Sequence, residues 1–279
     1  MKVVLNLVKF ILTIILTLFI IAFVFANIIS STILNKQFIL LQLDNTNYYA
    51  NTYTAVTEDF KNYIYQSGLD ETVLNNIVSQ EKVRQDTITI INNIYDGTNT
   101  AIDTTEIATN LNNNINASLQ GDINQTQQMA IDSFVEKITE QYKDTMSHTN
   151  YEDTINKYFS KITSAVDLLM RVSAIGMGAM AILLIVISLK DILNGLSFIA
   201  AAVSATGLFN IFINAIVNAK VKIQNITILN DSISITLREI LTNVMNTINK
   251  YGIILLAVGL VIIIICSIIK ARQKIKEEQ

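Results

Sequence analysis

The chain holds one histidine, His148, and one cysteine, Cys266. A histidine acts as a general base only beside a group it can deprotonate, and the sequence has no Gly-x-Ser-x-Gly elbow to supply one. His148 therefore reads as an ordinary loop residue near a helix start. Cys266 sits inside an apolar run, so neither an intramolecular disulfide nor a cysteine metal cluster is possible. Carboxylates occur in adjacent pairs, Glu58 with Asp59, Asp70 with Glu71, and Glu152 with Asp153. The last two pairs fall where helices begin, and a negative charge there answers the helix macrodipole. Asp96, Thr98, Thr100 and Asp103 carry oxygens in a loop, but Ile107 stands where a calcium loop needs its acidic last ligand. No phosphate loop, dinucleotide fingerprint or basic aromatic patch is present. The residues thus point to no catalytic site, no cofactor, no metal and no nucleic-acid partner.

The elements that carry these residues are apolar and helical. Of 279 residues, 51% are hydrophobic and only 15% are charged, too oily a balance for an ordinary soluble domain. Proline is absent and glycines number nine, so the strongest helix breakers are scarce and an all-α fold follows. Four uncharged runs are long enough to cross a hydrocarbon core: Phe10–Leu34, Val172–Leu189, Ile192–Ala219 and Tyr251–Ile269. The first exceeds the apolar core of a cleavable signal peptide and reads as a retained crossing.

Orientation follows from Lys and Arg near the spans. Lys2 and Lys9 precede the first run, and Lys270, Arg272, Lys274 and Lys276 follow the last, which places both termini in the cytoplasm. Lys36–Arg171 carries nine basic against eighteen acidic residues and falls on the outer side. The expected organisation is residues 1–36 for an inner N-terminus and first span, and 37–170 for an extracytoplasmic helical bundle. Residues 171–219 form two spans with a short inner turn, 220–250 an outer amphipathic loop, and 251–279 the last span and a basic tail. Abundant Asn, Ile, Thr and Lys read as an AT-rich bacterial source, which makes the expected location a bacterial plasma membrane.

Within the outer segment, apolar residues step by three and four. Tyr49, Tyr53, Val56, Phe60 and Ile64 predict one helix, continuing upward from the first span and ending at Gly68. Asp70 and Ser79 are spaced to cap the helices that follow, the second ending at Gly97, and Asp103 with Glu106 has the form of a capping box. Val83, Ile90, Ile91 and Ile94 before Gly97, Ile107, Leu111, Ile115 and Leu119 after Asp103, and Ile131, Val135, Ile138 and Tyr142 after Gly121 draw further stripes. Ile155, Phe159, Ile162, Val166 and Leu169 keep a coiled-coil-like period into the second span, which predicts a helix without a joint. Core packing is the expected role of every stripe. Ile233, Leu237, Ile240, Leu241, Val244 and Ile248 give the second outer loop an amphipathic pattern of its own.

The four runs contain no Asp, Glu, His, Lys or Arg, where ion and proton pathways usually display some. They carry small residues instead, which let helices approach closely. Ala174, Gly178 and Ala181 on the second run, with Ala200, Ser204 and Gly207 on the third, are the candidate helix-interface positions. Asn210, Asn214 and Asn218, four apart on one face, are candidates to hydrogen-bond across that interface or to line a polar path.

The order of one span, a large outer segment, two spans joined by a tight inner turn, a small outer loop and a last span resembles FtsX and MacB permease subunits. That resemblance implies an outer domain moved by a separate ATPase. Only the flank before Lys9 and the Lys190-Asp191 turn are available here to dock one. The Ser31-Thr32-Ile33-Leu34-Asn35-Lys36 exit and the Tyr65-Gln66-Ser67-Gly68-Leu69 turn are similar to those of uncharacterised multi-pass envelope proteins of low-GC Gram-positive bacteria. That likeness implies no activity. The expected partners are the lipid bilayer and a protein or second copy bound through the outer bundle.

Overall fold

A computed structural model describes residues 2–119, 123–147, 152–228 and 231–277. His148, Gly121 and Asn230, and the side chains of Glu152, Asp153 and Ile155, lie outside the described residues. The described residues are predominantly helical, with no strand among them. Its helices are α1 (Lys2–Ser31), α2 (Lys36–Asn45), α3 (Tyr48–Ser67), α4 (Gln80–Asp96), α5 (Thr105–Ser118), α6 (Gln125–Ser147), α7 (Glu152–Ile187), α8 (Ile192–Lys220) and α9 (Asp231–Glu277). Four of them, α1, α7, α8 and α9, are long and apolar enough to cross a membrane. They belong to one unit, Met1–Asn35, Ile162–Thr227 and Leu237–Gln279, while Lys36–Lys161 and Ile228–Thr236 make a second.

In the first unit the distribution of polarity is inverted relative to a water-soluble protein. Ile175, Ile182, Phe212 and Ile264 lie on the outside, whereas Thr13, Ser173, Ser188, Ser204, Thr206 and Asn210 are buried. A hydrocarbon solvent favours this arrangement, because apolar side chains cost nothing there and polar ones belong inside. Most of the buried hydroxyls bond the carbonyl one turn earlier on their own helix, as Thr13 does to Lys9 and Thr206 to Ala202. Leu16, Ile20, Val24 and Ile28 of α1 meet Leu184 of α7 and Ala202 of α8 in a core that is otherwise apolar.

The second unit has its own core, built from Val56, Phe60 and Ile64 of α3, Val83 of α4, Ile107, Leu111 and Ile115 of α5, and Ile131, Val135, Ile138 and Tyr142 of α6. These are the residues whose spacing predicted apolar stripes. Gly68 and Gly97 terminate α3 and α4 with φ of 73° and 68°, a conformation open to glycine at little cost. Asp70 and Ser79 cap as expected, accepting the Thr72 and Lys82 amides, although Asp70 starts only a 3-10 turn, Glu71–Leu74.

Four local expectations are corrected. Helix α1 does not continue into α3: the chain turns at residues 32–35, forms α2, and breaks again at Asn47, which adopts a left-handed φ of 52°. Short polar Asn tolerates that conformation better than most residues. Asp103 forms no capping box, because its carboxylate accepts from Thr105, two residues on, leaving Thr104 as an N-cap without a side-chain bond. The amphipathic pattern from Ile233 to Ile248 is not a separate loop element but the first half of the unbroken helix α9. Helix α7 is continuous from Glu152 to Ile187 as the spacing required, yet among the described side chains of its stripe Ile162 and Leu169 are exposed, Phe159 is half-buried and Val166 is buried.

Candidate helix interface and the polar groups around it

Small residues position α8 against α9. Ala200, Ser204, Gly207 and Asn210 are buried along one side of α8. A methyl group added at Gly207 would collide with the Leu256 backbone nitrogen and lie 2.6 Å from the Gly252 carbonyl oxygen. Conversely, a methyl group on Gly252 would stand 3.0 Å from the Gly207 carbonyl oxygen, and one on Gly259 would strike the Ser204 hydroxyl. The two backbones therefore touch where neither helix carries a side chain, the geometry that small residues allow in membranes. Gly252 and Gly259 stand seven apart, two turns along one face, and that spacing is the signal in the sequence that would have identified the α9 half of this seam.

The remaining candidates divide. Ala174 and Gly178 on α7 are exposed, with open space around the position a Gly178 side chain would take, and Ala181 is half-buried. The residue of α7 that permits close approach is Gly176, whose added methyl would lie 2.5 Å from the Phe19 ring of α1. Asn218 is exposed and donates to the Asn214 carboxamide at 3.3 Å. Asn210 is separate from that pair: it is wholly buried, and neither end of its amide has a hydrogen-bond partner. The Ser204 hydroxyl is likewise unpartnered. The seam thus combines close backbone contact with two unsatisfied polar groups, each costing about 1–3 kcal/mol to desolvate.

In the second unit the titratable groups serve structure. Lys82 donates to both oxygens of Asp86 at 2.6 and 2.7 Å, and the Tyr142 hydroxyl donates to the same carboxylate at 2.6 Å. Asp86 is one turn after Lys82 on α4, so the pair forms locally, and Tyr142 reaches it from α6. Burial, then the hydrogen bond to Asp86, pushes the Tyr142 phenol far above its ordinary value, and burial alone pushes Tyr95 up to about 12. Asp70 and Asp103 are held below the usual carboxylate range by the Thr72 and Thr105 hydrogen bonds they accept. Asp59 accepts from Thr145, and Asp96 pairs with Lys36 at 2.7 Å. The loop carrying Thr98 and Thr100 is clamped by buried Asn93, whose amide accepts from the Thr98 hydroxyl and the Thr100 amide and donates to the Thr100 carbonyl. Among the described residues no three of His, Cys, Asp and Glu gather where they would hold a metal ion.

Sequence reasoning missed Asn93, Asp86 and one cap. Asn124 and Gln127 exchange side-chain-to-backbone hydrogen bonds at 2.9 Å each, a reciprocal cap at the start of α6. Its signature, Asn followed three residues later by Gln, was present in the sequence. No family model, no curated protein and no solved structure matches this chain.

Proposed function

We propose that this chain is a non-catalytic, multi-pass envelope protein whose second unit lies outside the cytoplasm and binds a partner protein or a second copy. The observation that carries this reading is the pairing of four apolar helices with a separately cored acidic unit strung between α1 and α7. The basic residues before α1 and at the end of α9 support a cytoplasmic location for both termini. A unit with its own core, hung on helices whose apolar runs hold no Asp, Glu, His, Lys or Arg, suits recognition and anchoring better than transport or catalysis.

Orientation is tested by placing single cysteines at exposed Tyr65 and Met129, in a Cys266→Ser background, and labelling intact cells with a membrane-impermeant maleimide. Both should label without permeabilisation, and a cysteine at Lys274 only after it. The reverse pattern sinks the reading. Crosslinking from the same two positions in native membranes should capture a partner or a second copy.

A second reading, a subunit passing on the work of a separate ATPase, draws on the unbroken lengths of α7 and α9, 36 and 47 residues. It requires an ATPase to co-purify with the chain, with loss of that association when the Lys190-Asp191 turn is altered.

A further inference from the structure

A cleft of about 660 Å³ opens between the 3-10 turn Glu71–Leu74 and α5, lined among others by Thr72, Asn75, Asn76, Asn110, Asn113 and Asn114. Asn makes up 29 of the 279 residues, yet it supplies five of the eight that line this cleft. None of the eight is charged, in a segment where acidic residues outnumber basic ones two to one.

Two of these carboxamides already bind main chain. Asn114 donates both hydrogens of its Nδ2 to carbonyls of the facing wall, Val73 at 2.9 Å and Asn75 at 2.8 Å, and Asn110 donates to the Asn76 carbonyl at 3.4 Å. Helix α5 thus grips a stretch of irregular backbone, which the buried side chains of Val73 and Ile77 fix in place. Asn76 holds a left-handed φ of 57° in that stretch, a conformation Asn tolerates. The same chemistry is left open beside it. Asn75, Asn76 and Asn113 are exposed, and among the described residues their side chains form no hydrogen bond. Paired donors and acceptors without charge or aromatic rings match the peptide group itself, which offers one donor and one acceptor per residue.

We propose that this cleft binds the main chain of an extended, uncharged segment of a partner protein, with Asn75, Asn76 and Asn113 bonding its peptide groups as Asn110 and Asn114 bond residues 73–76. From Asn110 to Ser118 the helix rises about 12 Å, room for about four extended residues. Binding of this kind draws its affinity from main-chain hydrogen bonds. The inference rests on reading the second unit as one that binds a protein, and it names the surface that does so.

Saturation-transfer NMR on the detergent-solubilised full chain compares three probes: acetyl-(Ser-Gly)3-amide, the same peptide with each glycine replaced by sarcosine, and tri-N-acetylchitotriose, a neutral glycan. The first peptide should bind, with little dependence on salt because no ion pair is involved. N-methylation removes donors, and each net hydrogen bond is worth about two- to tenfold, so the sarcosine peptide should bind at least about tenfold more weakly. Asn75→Ala with Asn113→Ala should weaken the first peptide by at least about fivefold, whereas Asn116→Ala, on the same helix outside the lining, should leave it unchanged. Hydrogen exchange of α5 checks that the double variant is folded, and the probe comparison on the wild type stands without it. No binding of the first peptide, equal binding of the two peptides, equal effects of the double variant and Asn116→Ala, or preference for the glycan overturns the site. A partner still captured by crosslinking from Tyr65 or Met129 in the double variant overturns the cleft as its seat and leaves the proposed function standing.

Discussion

Replacing Tyr142 with phenylalanine removes one oxygen from the centre of the second unit while leaving the ring in place. That oxygen is wholly buried and donates to Asp86 at 2.6 Å, so the substitution deletes a hydrogen bond to a charged acceptor. Bonds of this kind are worth about 1.5–3 kcal/mol. The carboxylate keeps both contacts from Lys82, so its charge stays compensated and the loss should remain within that range. Asp86→Ala is more severe. It leaves the Lys82 ammonium, with a side chain only 13% exposed, without its counter-ion, and breaking a buried pair in this way costs about 3–5 kcal/mol. Because the chain contains two units, a single global unfolding transition is not expected, and local stability is the proper readout. Hydrogen exchange followed by mass spectrometry on the detergent-solubilised chain resolves α4 and α6 separately from the apolar helices. Protection of their slowest amides should fall about ten- to a hundredfold in Tyr142→Phe, further in Asp86→Ala, and little in α8. Unchanged protection in Tyr142→Phe, or a larger loss there than in Asp86→Ala, refutes the assignment of this network as the link between α4 and α6.

Three further outcomes follow from the same geometry. Above the ordinary phenol value of 10.0 the unfolded chain releases tyrosine protons that the folded chain retains, Tyr95 until about pH 12. The stabilisation these groups provide is therefore complete below pH 10.0 and declines as pH rises above it, so below about pH 12 their phenolate absorbance should appear mainly as the second unit unfolds. Fully folded protein carrying all its tyrosines as phenolates near pH 10.0 would contradict this. Gly207→Ala forces a methyl into the α9 backbone and should cost about 1–3 kcal/mol, whereas Gly178→Ala enters open space and should be neutral or stabilising by up to about 1 kcal/mol. Thermal unfolding in detergent compares the two, and equal losses would show that the seam does not depend on glycine. Asn210→Ala removes an amide that has no partner, so stability should rise or change by less than about 1 kcal/mol, and a loss of several kcal/mol would mean that the amide is satisfied.

The helical class, the four helices long and apolar enough to cross a membrane and most of the second unit's core were legible in the residues themselves. Apolar side chains at steps of three and four must share a face of a helix, and a face of that kind has to be covered, so Val56, Phe60, Ile107, Ile138 and Tyr142 could be assigned inward without knowing their partners. Charge-free runs of this length have no stable place in water. Glycines closing α3 and α4 were readable because the left-handed terminus strongly favours them. What the sequence could not decide was which of several chemically equivalent choices the packing would select. The small residues of α7 and α8 looked alike, yet Ala174 and Gly178 lie exposed while Gly207 is pressed against α9, because the choice depends on which face a neighbour occupies. Asp86 gave no signal of its own in the sequence, because its partner Tyr142 stands 56 residues away, and Asn210 looked like an interfacial bridge until the tertiary arrangement left it with nothing to bridge to. Local spacing determines what a helix presents, whereas the partner it presents it to is a property of the folded chain alone.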